Sequence, residues 1–136
     1  MARSPRDVTE TELAILQVLW DQETANRRQI TDVLYPEGGP AQYATVQKLL
    51  ERLEGKGLVR HARRPDGVLE FTATVAREDF ISRQLLDMAD RLCGGSVTPL
   101  LMNLIRAMPL DAQELSELQK LVKELSQYNR RKGGKP

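Results

Sequence analysis

Ala44, Gln47, Lys48 and Glu51 lie on one side of a helical repeat, with Thr45 and Arg52 on its flank, and Val46, Leu49, Leu50 and Leu53 lie on the other. The outward set has a particular chemistry. A glutamine amide pairs with adenine, a threonine offers a methyl to thymine or a hydroxyl to phosphate, and a lysine reaches guanine or the backbone. A few residues on, Arg60, His61, Arg63 and Arg64 add charge suited to phosphate contact rather than to reading sequence. Between Gln47 and Arg64 stand six cations (Lys48, Arg52, Lys56, Arg60, Arg63, Arg64) against two acids (Glu51, Glu54), in a chain whose net charge is only +1. A charged outer face is the default of any solvated helix. The elements around this one decide whether it means more.

Upstream, Val8-Thr9-Glu10-Thr11-Glu12-Leu13 is a complete helix start, with Thr9 as cap, Glu12 closing a capping box and Val8 with Leu13 as hydrophobic staple. The first helix runs to about Trp20, with Leu13, Ile15, Leu16, Leu19 and Trp20 facing a core. Asn26 and Gln29 form a second capping box, and Ile30, Val33 and Leu34 carry a short helix to Tyr35-Pro36. The loop Glu37-Gly38-Gly39-Pro40 leads into a third helix from about Gln42 to Lys56, closed by Gly57. Strands from Leu58 to Arg63 and from Val68 to Ala73 flank Arg64-Pro65-Asp66-Gly67, a type I turn by its proline and glycine positions. Three helices and a hairpin in this order predict a winged helix-turn-helix over residues 1–75, whose third helix enters a DNA major groove with the hairpin as wing.

Composition narrows the alternatives. Aromatics are 4 % of 136 residues, which favours aliphatic helix packing. The fold class expected is mainly α with a small β-hairpin wing, followed by a helical dimerisation domain. One cysteine, Cys93, and one histidine, His61, leave no disulfide and no Cys/His zinc site. Cys93 has no partner thiol and reads as a small interfacial residue. No apolar run approaches the roughly 18 residues that span a bilayer, and Met1 to Thr11 lacks a signal-peptide core, so a cytoplasmic location without membrane insertion is expected. Trp20 and Tyr43 read as packing residues, and His61 as an exposed strand residue. Asp87 and Asp90 have no third ligand, Gly94-Gly95 lacks the ending of a phosphate loop, and no nucleophile, base and orienting residue recur at a local spacing. No cofactor, metal or enzymatic activity is expected.

From Arg77 onward the pattern is helical. Phe80, Ile81, Leu85, Met88, Ala89 and Leu92 line one helix that stops at Gly94-Gly95. Pro99 opens a second through Met108, and Asp111 with Glu114 caps a last one carrying Leu115, Leu118, Leu121, Val122 and Leu125. Amphipathic helices over residues 76–128 without a core of their own imply a partner of the same kind, so Phe80, Leu85, Leu92, Leu101, Leu115, Leu118, Leu121, Val122 and Leu125 are the expected homodimer interface. Residues 129–136 read as a disordered tail.

These residues resemble the penicillinase repressor and methicillin-resistance repressor family of bacterial winged-helix proteins. The likeness runs from Val8 to Ser126, most specifically in Thr11-Glu12-Leu13-Ala14-Ile15-Leu16 with Leu19-Trp20, in Tyr43 to Leu53 with Lys56-Gly57-Leu58-Val59, and in Leu92 to Gly95. It implies a dimer on double-stranded, pseudo-palindromic operator DNA with TACA/TGTA-like half-sites, contacted by Thr45, Gln47 and Lys48 while wing cations hold the backbone. It implies too that a membrane-bound sensor metalloprotease leads to cleavage in the dimerisation domain, where Asn103-Leu104 occupies the place of the family's Asn-Phe bond. The paired Cys-x-Cys motifs of copper-responsive relatives are absent.

Overall fold

Helix α1 (Glu10–Gln22) starts where its capping box dictates: Thr9 Oγ1 accepts from the Glu12 amide at 3.2 Å and Glu12 Oε1 accepts from the Thr9 amide at 3.0 Å. The same reciprocal pair, Asn26 with Gln29, opens α2 (Arg27–Leu34). Helix α3 (Pro40–Gly55) begins two residues before the expected Gln42. Pro40 fits the first turn, where its missing amide hydrogen costs nothing, and the Gln42 side chain accepts from the Gly39 amide at 2.8 Å. The computed structural model describes residues 7–133.

The end of α3 is a Schellman motif. The Leu58 amide donates to the Leu53 carbonyl and the Gly57 amide to the Glu54 carbonyl, both at 3.0 Å, with Gly57 at φ +77°, where a Cβ would be strained. Leu58 is consumed by that cap, so strand β1 (Val59–Arg63) begins one residue later than the sequence pattern implies. It pairs antiparallel with β2 (Leu69–Ala73), Val59 opposite Ala73 and Arg63 opposite Leu69. The turn between them closes with the Gly67 amide on the Arg64 carbonyl at 2.9 Å and Gly67 at φ +90°, the three-residue hairpin geometry that calls for glycine. Ala25, in the α1–α2 connection, exchanges two backbone hydrogen bonds with Phe71 and ties the hairpin to the helices. The hairpin is thus fixed at its base by backbone as well as by side chains.

Ile15, Leu16, Leu19, Ile30, Val46, Leu50, Leu53, Val59 and Phe71 form the core, with one or more from each of α1, α2, α3, β1 and β2. Phe80 belongs to it as well. The first turn of α4 (Arg77–Cys93) is pinned to α1 by the Phe80 ring against Trp20, 5.5 Å between centroids, and by the Trp20 indole N–H donating to the Val75 carbonyl at 2.8 Å. Phe80 is therefore a core residue and not the interface residue that its helical spacing suggested. For the same reason the chain divides into compact units at Met1–Arg83 and Gln84–Pro136, inside α4, rather than at residue 75.

The second unit holds the rest of α4, α5 (Thr98–Ala107) and α6 (Ala112–Gly133). Asp111 and Glu114 make the capping box read from sequence. Helix α6 continues through residues 129–133, where a disordered tail was expected; Arg130 and Arg131 suit the negative end of a helix. Residues 134–136 of that expected tail lie outside the described residues. Ala89 is the one buried apolar side chain among the described residues of this unit, whereas Leu92, Leu101, Leu104, Leu118, Leu121, Val122 and Leu125 are exposed.

Sequence reasoning did not find the buried ion pair. Glu12, 1 % exposed, receives the Lys56 ammonium at 2.7 Å, and Lys56 also donates to the Asp7 carbonyl at 2.6 Å. Burial alone would raise the Glu12 pKa; the Lys56 hydrogen bond, the Thr9 amide and the ammonium's charge outweigh it and hold the carboxyl below the usual range. A carboxyl whose folded pKa is depressed stabilises the fold above its unfolded pKa, and that stabilisation disappears as pH falls through the folded one. Lys56→Met should cost about 3 kcal/mol at pH 7, because it strands a buried carboxylate. In urea titrations the gap between variant and parent should narrow on acidification below the ordinary glutamate range.

Candidate nucleic-acid interface

The rotation of α3 is fixed by Val46, Leu49, Leu50 and Leu53, all buried. Ala44, Thr45, Lys48 and Arg52 are in consequence exposed along the opposite side. Thr45 spends its hydroxyl hydrogen on the Ala41 carbonyl at 3.0 Å, which keeps its methyl and oxygen lone pairs for a ligand. Gln47 is half-buried: its amide oxygen accepts from Arg27, and its amide nitrogen donates to Glu51 Oε2 at 2.8 Å.

Cations of the wing divide by strand alternation. Val59, His61 and Arg63 share the face that carries Phe71, while Arg60, opposite Thr72, occupies the other. Arg63, bonded to the Gly67 carbonyl at 2.7 Å, lines a cleft with Asn26, Arg27, Arg28 and Tyr43. Arg60 does not reach that cleft. Arg64 is held by Asp66 at 2.8 Å and Glu70 at 3.8 Å, so its charge is locally offset. His61 Nδ1 sits 2.6 Å from Glu54 Oε2 and links the wing to α3. Lys56, counted in the basic stretch, is turned inward to Glu12 and contributes nothing to the outer field. Among the described residues no carboxylate lies within ion-pair distance of Lys48, Arg52, Arg60 or Arg63.

Two contributors were missed from sequence: Arg27 and Arg28 at the start of α2. Arg27 lies over the Tyr43 ring, 4.9 Å from its centroid, and Arg28 is exposed beside the same cleft. A signal existed. Paired cations at the positive end of a helix oppose its dipole, a local inconsistency of the kind that function imposes. The assembled surface has polar groups on α3 beside a cleft whose lining brings Arg63 of the wing together with Arg27 and Arg28 of α2. An anionic duplex fits those requirements, and a small enclosed substrate does not.

A match to the penicillinase repressor family model spans residues 8–124. The chain belongs to the penicillinase repressor family. Membership places it among DNA-binding transcriptional repressors, which are not enzymes. It is similar to the penicillinase repressor of Bacillus licheniformis, 23 % identical over 117 residues that cover 86 % of this chain and 90 % of that one. An uncharacterised 16.5 kDa protein of Latilactobacillus sakei is 25 % identical over 122 residues, covering 90 % of this chain and 82 % of that one. Among solved structures, the DNA-binding domain of the repressor BlaI is 20 % identical, covers 57 % of this chain and 93 % of that one, and has a TM-score of 0.44. The adhesin competence repressor of Streptococcus pyogenes is 17 % identical, with coverage of 93 % and 83 % and a TM-score of 0.47. Among the described residues of this penicillinase repressor family member no helix is long and apolar enough to cross a membrane.

Wing and helix cations make separable contributions to a salt titration. Lys48→Ala and Arg63→Ala should each weaken binding to duplex DNA and reduce the slope of log affinity against log salt by roughly one unit. Arg60→Ala and Arg64→Ala should change the slope by clearly less, the first for its position and the second because acids already offset it.

Proposed function

We propose that this chain is a sequence-specific repressor that binds a pseudo-palindromic operator as a homodimer, with α3 of each copy in the major groove and Arg63 of each wing on the backbone. The observation that carries the reading is the α3 face: its apolar side is sealed in the core, and Ala44, Thr45, Lys48 and Arg52 stand clear on the other. Ala44, next to longer polar side chains, leaves room for base edges to approach the helix. The resemblance and the family suggest half-sites of the TACA/TGTA kind.

The apolar side chains of the second unit support association. Leu85, Leu92, Leu101, Leu115, Leu118, Leu121, Val122 and Leu125 are exposed in the single chain. At about 25 cal/mol per Å² of apolar surface, leaving such a set in water forfeits far more than small domains have in reserve. A second copy presents the same residues, so a two-fold contact is self-complementary. Joining two weak reading heads then raises the effective concentration of the second contact once the first is made. A protein of this kind acts where the chromosome is, in the cytoplasm.

Release by proteolysis is the mode suggested by the resemblance, with a membrane sensor metalloprotease as upstream partner and Asn103-Leu104 as the bond. Both residues are exposed on α5, and the Asn103 amide nitrogen donates to the Pro99 carbonyl at 2.8 Å. The bond lies within a helix, so cutting there requires a turn of α5 to unwind first.

Selection from randomised duplexes at physiological salt should return a two-fold symmetric sequence; recovery of unenriched DNA overturns the proposal. Leu118→Glu and Leu121→Glu should shift the protein to a monomer in sedimentation and weaken operator binding at least tenfold. If cleavage relieves repression, mass spectrometry of induced cells should find fragments ending at Asn103 and starting at Leu104, and intact protein in cells with a vacated operator would refute that step.

A further inference from the structure

Gln47 is the side chain on α3 best matched to a base edge, yet it is not free. Its amide is the middle of a chain of three residues: Arg27 donates to Oε1, and Nε2 donates to Glu51 Oε2 at 2.8 Å. The direction of the amide follows from its partners. A guanidinium can only donate, so the atom facing Arg27 is the oxygen; a carboxylate can only accept, so the atom facing Glu51 is the nitrogen. Arg27 is itself braced by the Tyr43 ring at 4.9 Å, and Glu51 comes from the next turn of the same helix.

The capacity left over is specific. An amide oxygen has two acceptor sites and an amide nitrogen two hydrogens, and the relay uses one of each. One acceptor and one donor remain, on adjacent atoms of a planar group that cannot rotate without breaking both bonds. The major-groove edge of adenine presents the complement, the N6 donor beside the N7 acceptor, whereas guanine presents two acceptors. A free glutamine could turn over and meet other edges; this one is held in a single sense.

We propose that Arg27 and Glu51 are specificity-determining residues that act through Gln47, fixing its amide so that it selects adenine at one position of each half-site. The inference rests on the repressor reading above and adds to it two positioning residues outside the direct base contacts. Holding the amide in advance lowers the entropic cost of ordering it at the interface. It also raises discrimination, because a wrong base meets an unpaired donor or acceptor that cannot adjust.

The test is a comparison of base preference in the full-length protein, using selected operator duplexes that carry each of the four base pairs at every half-site position. Gln47→Ala should lower the preference for adenine at one position by about tenfold. Arg27→Met and Glu51→Ala should each erode that preference at the same position beyond any uniform change in affinity, leave the base preferences at other positions unchanged, and cause no further loss of preference in a Gln47→Ala background. Thermal melting of each variant within a few degrees of the parent is required for the comparison, and Arg27→Lys, which keeps a donor, should retain most of the preference. If Arg27→Met weakens all four duplexes equally and lowers the salt slope by one unit, Arg27 is a plain phosphate contact and the inference fails while the repressor reading stands. If the parent protein distinguishes no duplex from another, the repressor reading itself fails.

Discussion

The angular setting of α3 about its own axis is the constraint on which the remaining structure depends. Val46, Leu49, Leu50 and Leu53 are buried against α1, α2 and the strands, and truncation of a buried leucine in such a site costs about 2–5 kcal/mol. A rotation by one residue, about 100°, would expose several of them and bury Lys48 or Arg52 without partners. No set of surface interactions could offset that. The outward presentation of Thr45 and Lys48 is consequently as stable as the core itself, and the Schellman cap at Gly57 and the Ala25–Phe71 pairing extend the same rigidity to the wing. Recognition surfaces gain from such preorganisation because little ordering is left to be done on contact.

Much of this was legible in the sequence because the signals are local. The three capping boxes, Thr9 with Glu12, Asn26 with Gln29 and Asp111 with Glu114, are four-residue patterns, and the structure makes the hydrogen bonds of each. The turn at Arg64 to Gly67 and the α3 stop at Gly57 are of the same type. What was not legible depends on residues far apart in the chain. Lys56 counts as a surface cation until its partner 44 positions away is known, and Arg27 is an unremarked helix-start residue until Gln47 is brought against it. Phe80 fits the periodicity of an interface helix as well as that of a core anchor; only the fold places Trp20 beside it. Residues 129–133 read as tail because a polar run without apolar spacing has the same sequence pattern in a helix as in a solvated coil.

The two units divide the labour of folding unequally. The first has a closed aliphatic core and a buried ion pair, and its hydrogen bonds leave no buried side-chain polar atom without a partner among the described residues. The second has almost nothing inside its helices: α6 is capped by Asp111 and Glu114, and α5 starts on Pro99 without a side-chain cap. Local order there comes from capping and helix propensity, contributions of a kcal/mol or less each, which are too small to hold three helices alone. In the proposed homodimer its stability and its association are one equilibrium, and whatever weakens one weakens the other.

The chain has a single tryptophan, and it occupies the joint between α1 and the first turn of α4, with its ring against Phe80, its N–H on Val75 and the Arg77 guanidinium over its face at 5.6 Å. Indole emission depends on just such contacts: a carbonyl partner, a neighbouring ring and a nearby cation each shift its colour or its yield. The protein thus carries an intrinsic optical probe at the place where the first unit hands the chain to the second. Its emission responds when that joint loosens.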